Sequence, residues 1–342
     1  MIKLPNGQIN IGLFGFGYWG RIYLRVLSEI SNVKVKFVCD TDPSKKSGAP
    51  KGLNFFYDPE QAIDNSSIDA AFVVTPPATH KRIASLVLKK GIDVFVEKPA
   101  TISLRDLDDV VAVKPREVFF YPGHIYAYND LVKSFTTSIL ETNENVVSIT
   151  SSRKAFGPIR NDVGCLWDLY PHDLTIFDLL KVGSPEYVRC IGDDIFNTGR
   201  EDYAHCHIRY SSGAIASSEL SWLYPLKTRQ TSVLMDKSIG LFDEMNAEMP
   251  ISIFRGRTNI LQEANRIANG GNTAKNYLKG IKSINGEPLK NMILAFLLSV
   301  KERTSEFADA ELERSRMIIS VLEAASKSME KDGEKEYIYP HR

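Results

Sequence analysis

The chain carries no net charge: its 342 residues include 42 Lys and Arg against 42 Asp and Glu, and no basic run exceeds a few residues. A protein that binds nucleic acid electrostatically shows a basic excess, so that class is excluded. Cysteine is scarce, and Cys39, Cys165, Cys190 and Cys206 are scattered with no C-x-x-C pair. No disulfide framework, structural zinc site or other metal is expected, and a reducing compartment fits better. Long apolar runs are missing too. The opening stretch MIKLPNGQINIGLFGFGYWG is broken by glycines and matches neither a secretion signal nor a membrane span. A cytoplasmic protein without membrane contact is the expectation. There is no internal repeat or low-complexity tract.

What remains is ordinary globular composition, 43% hydrophobic and 25% charged, far from the signature of disorder. The length suggests about two domains. Over the first 120 residues, short apolar runs (INIGLF, VKVKFVCD, DAAFVVT, IDVFVEKP, EVFFYPGH) alternate with helical stretches. Such runs predict parallel strands covered on both faces. Helices are then expected at 129–141 and 171–182. Strands without intervening helices are expected at 186–195, 203–210, 214–222, 229–236, 239–243 and 251–254. Two closing helices are expected at 288–302 and 311–331, while 256–287 has no clear pattern. The fold expected is α/β: a dinucleotide-binding domain over 1–122, then an α+β domain with a large, mostly antiparallel open sheet over 123–342.

Four motifs carry chemistry. Gly15, Gly17 and Gly20 form G-F-G-Y-W-G, with Tyr18 and Trp19 inside it, after a strand and at the start of a helix. Glycines there permit a tight turn and close approach of a pyrophosphate to the helix N-terminus. Asp40 ends the second strand, where an acid accepts from the ribose hydroxyls of NAD and repels a 2′-phosphate. Lys45 and Lys46 nearby leave room for NADP. Thr75-Pro76-Pro77-Ala78-Thr79-His80 and Glu97-Lys98-Pro99 both follow strands, at the sheet edge where ligands bind. Asp168 and His172 lie four apart, so one helix face carries both. A helix starting near Pro171 would put His172 at its positive end, which suits a base poised near neutrality. Singly, each motif has a bland alternative: a glycine turn, a rigid turn, a solvated lysine, a capping acid beside a surface histidine.

As a set, in this order and over nearly the whole chain, they resemble the glucose–fructose oxidoreductase / inositol dehydrogenase (Gfo/Idh/MocA) family. The resemblance implies a Rossmann domain followed by an α/β domain whose open sheet mediates homodimers or homotetramers. It also implies that Lys98, Asp168 and His172 make the catalytic group, and that Gly15, Gly17, Tyr18, Trp19, Gly20, Asp40, Thr75, Pro76, His80, Glu97 and Lys98 line the cofactor. G-Y-W-G, W-D-L-x-P-H-D and S-W-L-Y-P-L-K-T-R (221–229) look like the branch acting on nucleotide-activated sugars, UDP-N-acetylglucosamine 3-dehydrogenases among them. Where many members have Gly before the catalytic His, this chain has Tyr170 and Pro171. The implied reaction passes a hydride between a sugar carbinol carbon, C3 being the candidate, and nicotinamide. His172 would be general base, Asp168 would orient it, and Lys98 would stabilise the alkoxide.

For an anionic substrate the candidates are Arg153, Lys154 and Arg160, with Lys227 and Arg229. Tyr126, Asn129 and His172 are candidates for sugar hydroxyls. His205 and His207 share a strand face without a third ligand and are taken as exposed sheet residues. Two other functions fit the same fold: a free-sugar or inositol dehydrogenase, and a non-catalytic NAD-binding sensor. The joint presence of Lys98, Asp168 and His172 favours an enzyme.

Overall fold

The structure, a computed structural model, describes residues 4, 7–157, 159–268, 279–281 and 286–339. The chain divides into two compact units: Met1–Tyr128 with Glu287–Ile319, and Asn129–Gly286 with Ser320–Arg342. The boundary thus falls six residues past the expected one, and a C-terminal segment returns to the first unit.

In the first unit, strands β1 (Ile9–Phe14), β2 (Val33–Cys39), β3 (Asn54–Phe56), β4 (Ala70–Val73), β5 (Asp93–Glu97) and β6 (Phe120–Gly123) form one parallel sheet in the order β3-β2-β1-β4-β5-β6. This is the doubly wound order, whose direction reverses beside β1 and opens a crevice at the strands' carboxyl ends. The connections include helices α1 (Tyr18–Ser28), α2 (Pro59–Asp64), α3 (His80–Lys89) and α4 (Leu104–Ala112). The last was not anticipated. Its residues LRDLDDVVA are half polar, but Ser103 caps it by accepting from Asp106 N, and Leu104, Leu107 and Val110 bury one face.

A later helix, α8 in chain order (Pro288–Glu302), belongs here because it supplies Phe296. That ring lies 5.2 Å from Phe72, 5.8 Å from Phe95 and 5.3 Å from Tyr121, centroid to centroid. Burying one such ring contributes roughly 2–3 kcal/mol, so the sheet face is incomplete without the return segment.

The second unit holds a nine-stranded sheet. Its strands are β7 (Val146–Phe156), β8 (Pro185–Asp193), β9 (Tyr203–Tyr210), β10 (Ile215–Ser221), β11 (Leu223–Met235), β12 (Ser238–Asp243), β13 (Ile251–Arg255), β14 (Lys279–Ile281) and β15 (Glu336–Tyr337). The order is β14-β13-β12-β11-β7-β10-β9-β8-β15, antiparallel except for β7 with β10. The helices are α5 (Asp130–Leu140), α6 (Cys165–Leu179) and α7 (Arg257–Ala268), and the long helix α9 (Glu306–Met329) ends in this unit.

Strand β7, central to the sheet, was missed. Its inward positions include Ser151 and Arg153 beside Ile149, so the apolar alternation that marks a half-buried strand is erased. Helix α7 was missed as well, in the stretch without clear pattern; part of that stretch lies outside the described residues. Helix α6 begins six residues before Pro171, so the expected start was wrong. His172 is the eighth residue of the helix rather than a first-turn residue, and the terminal dipole, which fades within one turn, does not govern it. Pro171 is accommodated inside the helix, with Thr175 Oγ1 donating to its carbonyl at 2.7 Å. Among the described residues no helix is long and apolar enough to cross a membrane.

Candidate active site

In the first unit the site is built on the carboxyl edge of the parallel sheet. Gly15 adopts φ +91°, a region closed to most side chains, and a Cβ there would run into the Val74 carbonyl. Gly20 approaches the Gly15 carbonyl so closely that a Cβ would collide with it. Above Gly17, by contrast, a Cβ would meet nothing within 4 Å. Gly17 is the N-cap of α1 and offers no side chain to its first-turn N–H groups. Open space over uncapped donors is what a dinucleotide's pyrophosphate requires, so these residues fit that cofactor. Tyr18 and Trp19 flank the turn, 77% and 46% exposed, with rings edge to face 5.9 Å apart. Gly17→Ala is therefore expected to keep the wild-type melting temperature but weaken NADH binding about tenfold or more. Gly20→Ala should lose both, because its clash is with backbone. Thermal melts and NADH fluorescence titration check the pair.

Asp40 stands at the end of β2 as expected. Its Oδ2 accepts from Phe16 N at 2.7 Å, which braces the glycine turn, and its Oδ1 accepts from Asp42 N at 3.0 Å. Lys45 Nζ lies 3.0–3.1 Å from both oxygens. The lysine raised as a reason to keep NADP open is thus paired with the very acid that would select NAD. Thr75 and Pro76 follow β4 at the surface of the same edge. His80 is buried instead, its ring engaged by the carbonyls of Thr75 and Pro99. It holds the cofactor edge together rather than facing a ligand.

Glu97 closes β5 and is half-buried at its end. It accepts from Tyr23 Oη and, at 2.9 Å, from Lys98 N; burial pushes its carboxyl up against the pull of Tyr23 and Lys98. Glu97 is therefore a buttress for Lys98, which is half-buried at the strand end and followed by a cis peptide bond to Pro99. Next to it, His124 follows β6 and pairs with Glu311 at 2.6 Å, both buried. Burial would push the Glu311 carboxyl up, but His124 and Arg314 hold it below its usual range. Neither Tyr23 nor this pair was visible beforehand, because the partners are separated by 74 and 187 residues. Tyr126, a candidate for sugar hydroxyls, is 7% exposed in the short helical turn Ile125–Tyr128.

In the second unit α6 carries both Asp168 and His172, one turn apart and each half-buried. The helix is fixed at both ends of this stretch. Its N-cap is Gly164, and the missing cap is supplied by Glu201, which accepts from Leu166 N at 3.0 Å. Arg160 NH1 lies 3.2 Å from Asp168 Oδ1, while its Nε and NH2 grip Asp162 at 2.8 and 2.6 Å. Arg153 is buried, with Nε and NH2 each 2.8 Å from Asp173 Oδ1, and Ser151 Oγ donates to Asp173 Oδ2 at 3.0 Å.

The assignment of Arg153 to substrate is thereby corrected: it anchors α6 to β7. Arg160 is likewise committed to two carboxylates. Lys154 pairs with Glu219 at 2.6 Å and lies 4.0 Å from the Tyr224 ring centroid, and Arg229 pairs with Glu244. Asn129 spends its side-chain oxygen capping α5, accepting from Leu131 N and Val132 N. Cys165 is buried, and burial pushes its thiol far up, away from reactivity. His205 and His207 are exposed on β9, and among the described residues no group of three or more His, Cys, Asp or Glu is gathered as for a metal.

Two family descriptions match the chain: an oxidoreductase family with an NAD-binding Rossmann fold over residues 9–121, and the GFO/IDH/MocA C-terminal domain over residues 140–238. Together they span more than half of it. Curated relatives are remote. The UDP-N-acetylglucosamine 3-dehydrogenase of Acidithiobacillus ferrooxidans is 22% identical over 246 residues, 71% of this chain and 77% of that protein. The 2,7-anhydro-N-acetylneuraminate hydratase of Escherichia coli is 27% identical over 237 residues, 62% of this chain but only 61% of that protein. Among solved structures, the WlbA dehydrogenase from Bordetella pertussis in complex with NADH and UDP-GlcNAcA shares the fold, with a TM-score of 0.79 at 15% identity, covering 99% of this chain and all of that one. With the doubly wound sheet, the glycine turn and both family matches in hand, the chain belongs to the GFO/IDH/MocA family of NAD-binding oxidoreductases.

Proposed function

We propose that this oxidoreductase acts on a CH–OH group of a nucleotide-activated sugar, with C3 as the candidate carbon, in the making of surface polysaccharide. The observation that carries the proposal is Lys98. It stands at the carboxyl end of β5, its amide held by Glu97, on the same sheet edge as the glycine turn. A bound nicotinamide dinucleotide supplies the hydride acceptor. Gly15, Gly17, Tyr18, Trp19, Gly20, Asp40, Thr75 and Pro76 are the residues that would hold it. NAD is preferred through Asp40, with NADP the less favoured alternative because Lys45 is paired with that acid.

In this proposal His172 takes the substrate's hydroxyl proton and Asp168, one turn before it, orients the ring. Lys98 holds the oxygen as negative charge develops, an interaction stronger in the transition state than in the ground state. The named activity of the A. ferrooxidans relative and the UDP-sugar bound in the B. pertussis structure support a nucleotide sugar. Of the five candidate cations, Arg153, Lys154, Arg160 and Arg229 already have carboxylate partners. That observation favours a second substrate class, free sugars or inositols, which need no anion clamp. We place the enzyme in the cytoplasm as a homodimer or homotetramer, through the large sheet that exposes Phe156 and Leu226.

The test is reduction of NAD and NADP against UDP-, dTDP- and GDP-sugars beside glucose and inositol, read as nicotinamide absorbance. Turnover of a UDP-sugar is expected. Turnover confined to free sugars or inositol would replace the substrate class. No turnover alongside tight NADH binding would favour a sensor.

A further inference from the structure

His80 opens α3 with 1% of its surface exposed, and both ring nitrogens face carbonyl oxygens: Nδ1 lies 2.9 Å from Pro99 O and Nε2 lies 2.7 Å from Thr75 O. A carbonyl oxygen can only accept. A neutral imidazole has one N–H and one lone pair. In either neutral tautomer one of the two contacts would set lone pair against lone pair, in a buried position where an unsatisfied polar atom is costly. Both contacts are favourable only when the ring donates twice.

We propose that His80 is a doubly protonated positioning residue that ties the turn after β4 to the turn after β5 and thereby fixes Lys98. The proposal rests on the catalytic role given to Lys98 above. The tie acts on both sides of that residue: Glu97 Oε2 holds the Lys98 amide at 2.9 Å, and His80 holds the carbonyl of the next residue, Pro99. At its other end the imidazolium holds the Thr75 carbonyl, whose residue also borders the glycine turn: a Cβ on Gly15 would lie 3.0 Å from Thr75 Cγ2. One buried ring therefore joins three functional turns. The spacing in T-P-P-x-x-H has a physical reason in this geometry. A 3-10 turn over Pro77–Thr79 brings the helix's first side chain back over the end of β4.

Long-range 1H–15N correlation spectra of the full chain with 15N-histidine, at neutral pH, read the protonation directly. One ring, identified by nuclear Overhauser contacts to Thr75 and Pro99, is expected to show both nitrogens protonated. A bare nitrogen in that ring overturns the double donor. The functional half is read from His80→Gln, which keeps one donor, using the substrate found in the panel above. We expect kcat to fall about 10- to 100-fold through misplacement of Lys98, with KM for the sugar within about threefold. An unchanged kcat overturns the positioning role, as does a loss of kcat matched by an equal loss of folded protein. If the wild type turns over no substrate, the catalytic reading of Lys98 fails while the spectrum still decides the state of His80.

Discussion

Replacing Lys98 with Met is expected to lower kcat by about 10³ while leaving the fold and the cofactor site intact, since loss of one preorganised charge at a developing oxyanion costs about 10²–10³. Methionine keeps the unbranched length and removes only the ammonium. The position of the backbone does not depend on that group, because Glu97 holds the Lys98 amide and the Pro99 carbonyl is held in turn. NADH affinity should therefore stay within about threefold, and the melting temperature should not move. His172→Ala is expected to act in the same direction, by about 10²–10⁴, as loss of a general base does. Steady-state rates and NADH fluorescence on the two proteins test this. If either folded variant lost NADH binding, or kept wild-type kcat, its catalytic assignment would fall.

Arg153→Met should unfold the protein more readily, by about 3–5 kcal/mol, because it strands the Asp173 carboxylate in the interior. Both partners are buried, and the neutral Ser151 hydroxyl that donates to the carboxyl does not replace the lost charge. Burial already pushes the Asp173 carboxyl above its ordinary range, against the pull of Arg153 and Ser151. A carboxyl raised in the folded state binds its proton more tightly there than in the unfolded chain. Its contribution to stability is thus present below the ordinary carboxylate range and is lost as pH rises through the folded value. Removing the guanidinium raises that value further. The deficit of the variant should shrink as pH is lowered from neutral toward 5, and Asp173→Asn in the same chain should recover most of it. Urea unfolding at several pH values measures this. A variant with unchanged stability and a raised KM would restore Arg153 to the substrate.

Local pattern carried the cofactor half of the molecule. The glycine turn, the acid after β2 and the T-P-P and E-K-P turns were legible because each follows a strand that ends in an apolar run. In a doubly wound sheet all those strand ends lie on one edge. The second unit was harder, for a reason visible in β7. A strand whose inward side chains are Ser151 and Arg153 gives no apolar alternation, and only Asp173 on α6 makes that arginine a core residue. The start of α6 was misplaced for a similar reason. A glycine cap and an internal proline read as a break, and the carboxylate that repairs the cap, Glu201, is 35 residues away.

By itself, then, the sequence determined the fold class, the cofactor edge and the placing of Asp168 and His172 one turn apart, since each depends on spacing of a few residues along one strand or helix. Which charges are arms for a ligand and which are beams of the fold was decided only by the tertiary structure. Arg153, Arg160, Glu97 and His80 look alike as free polar side chains until folding places carboxylates and carbonyls against them. For Arg153 and His80 burial then makes those contacts obligatory, and that burial is set by segments distant along the chain.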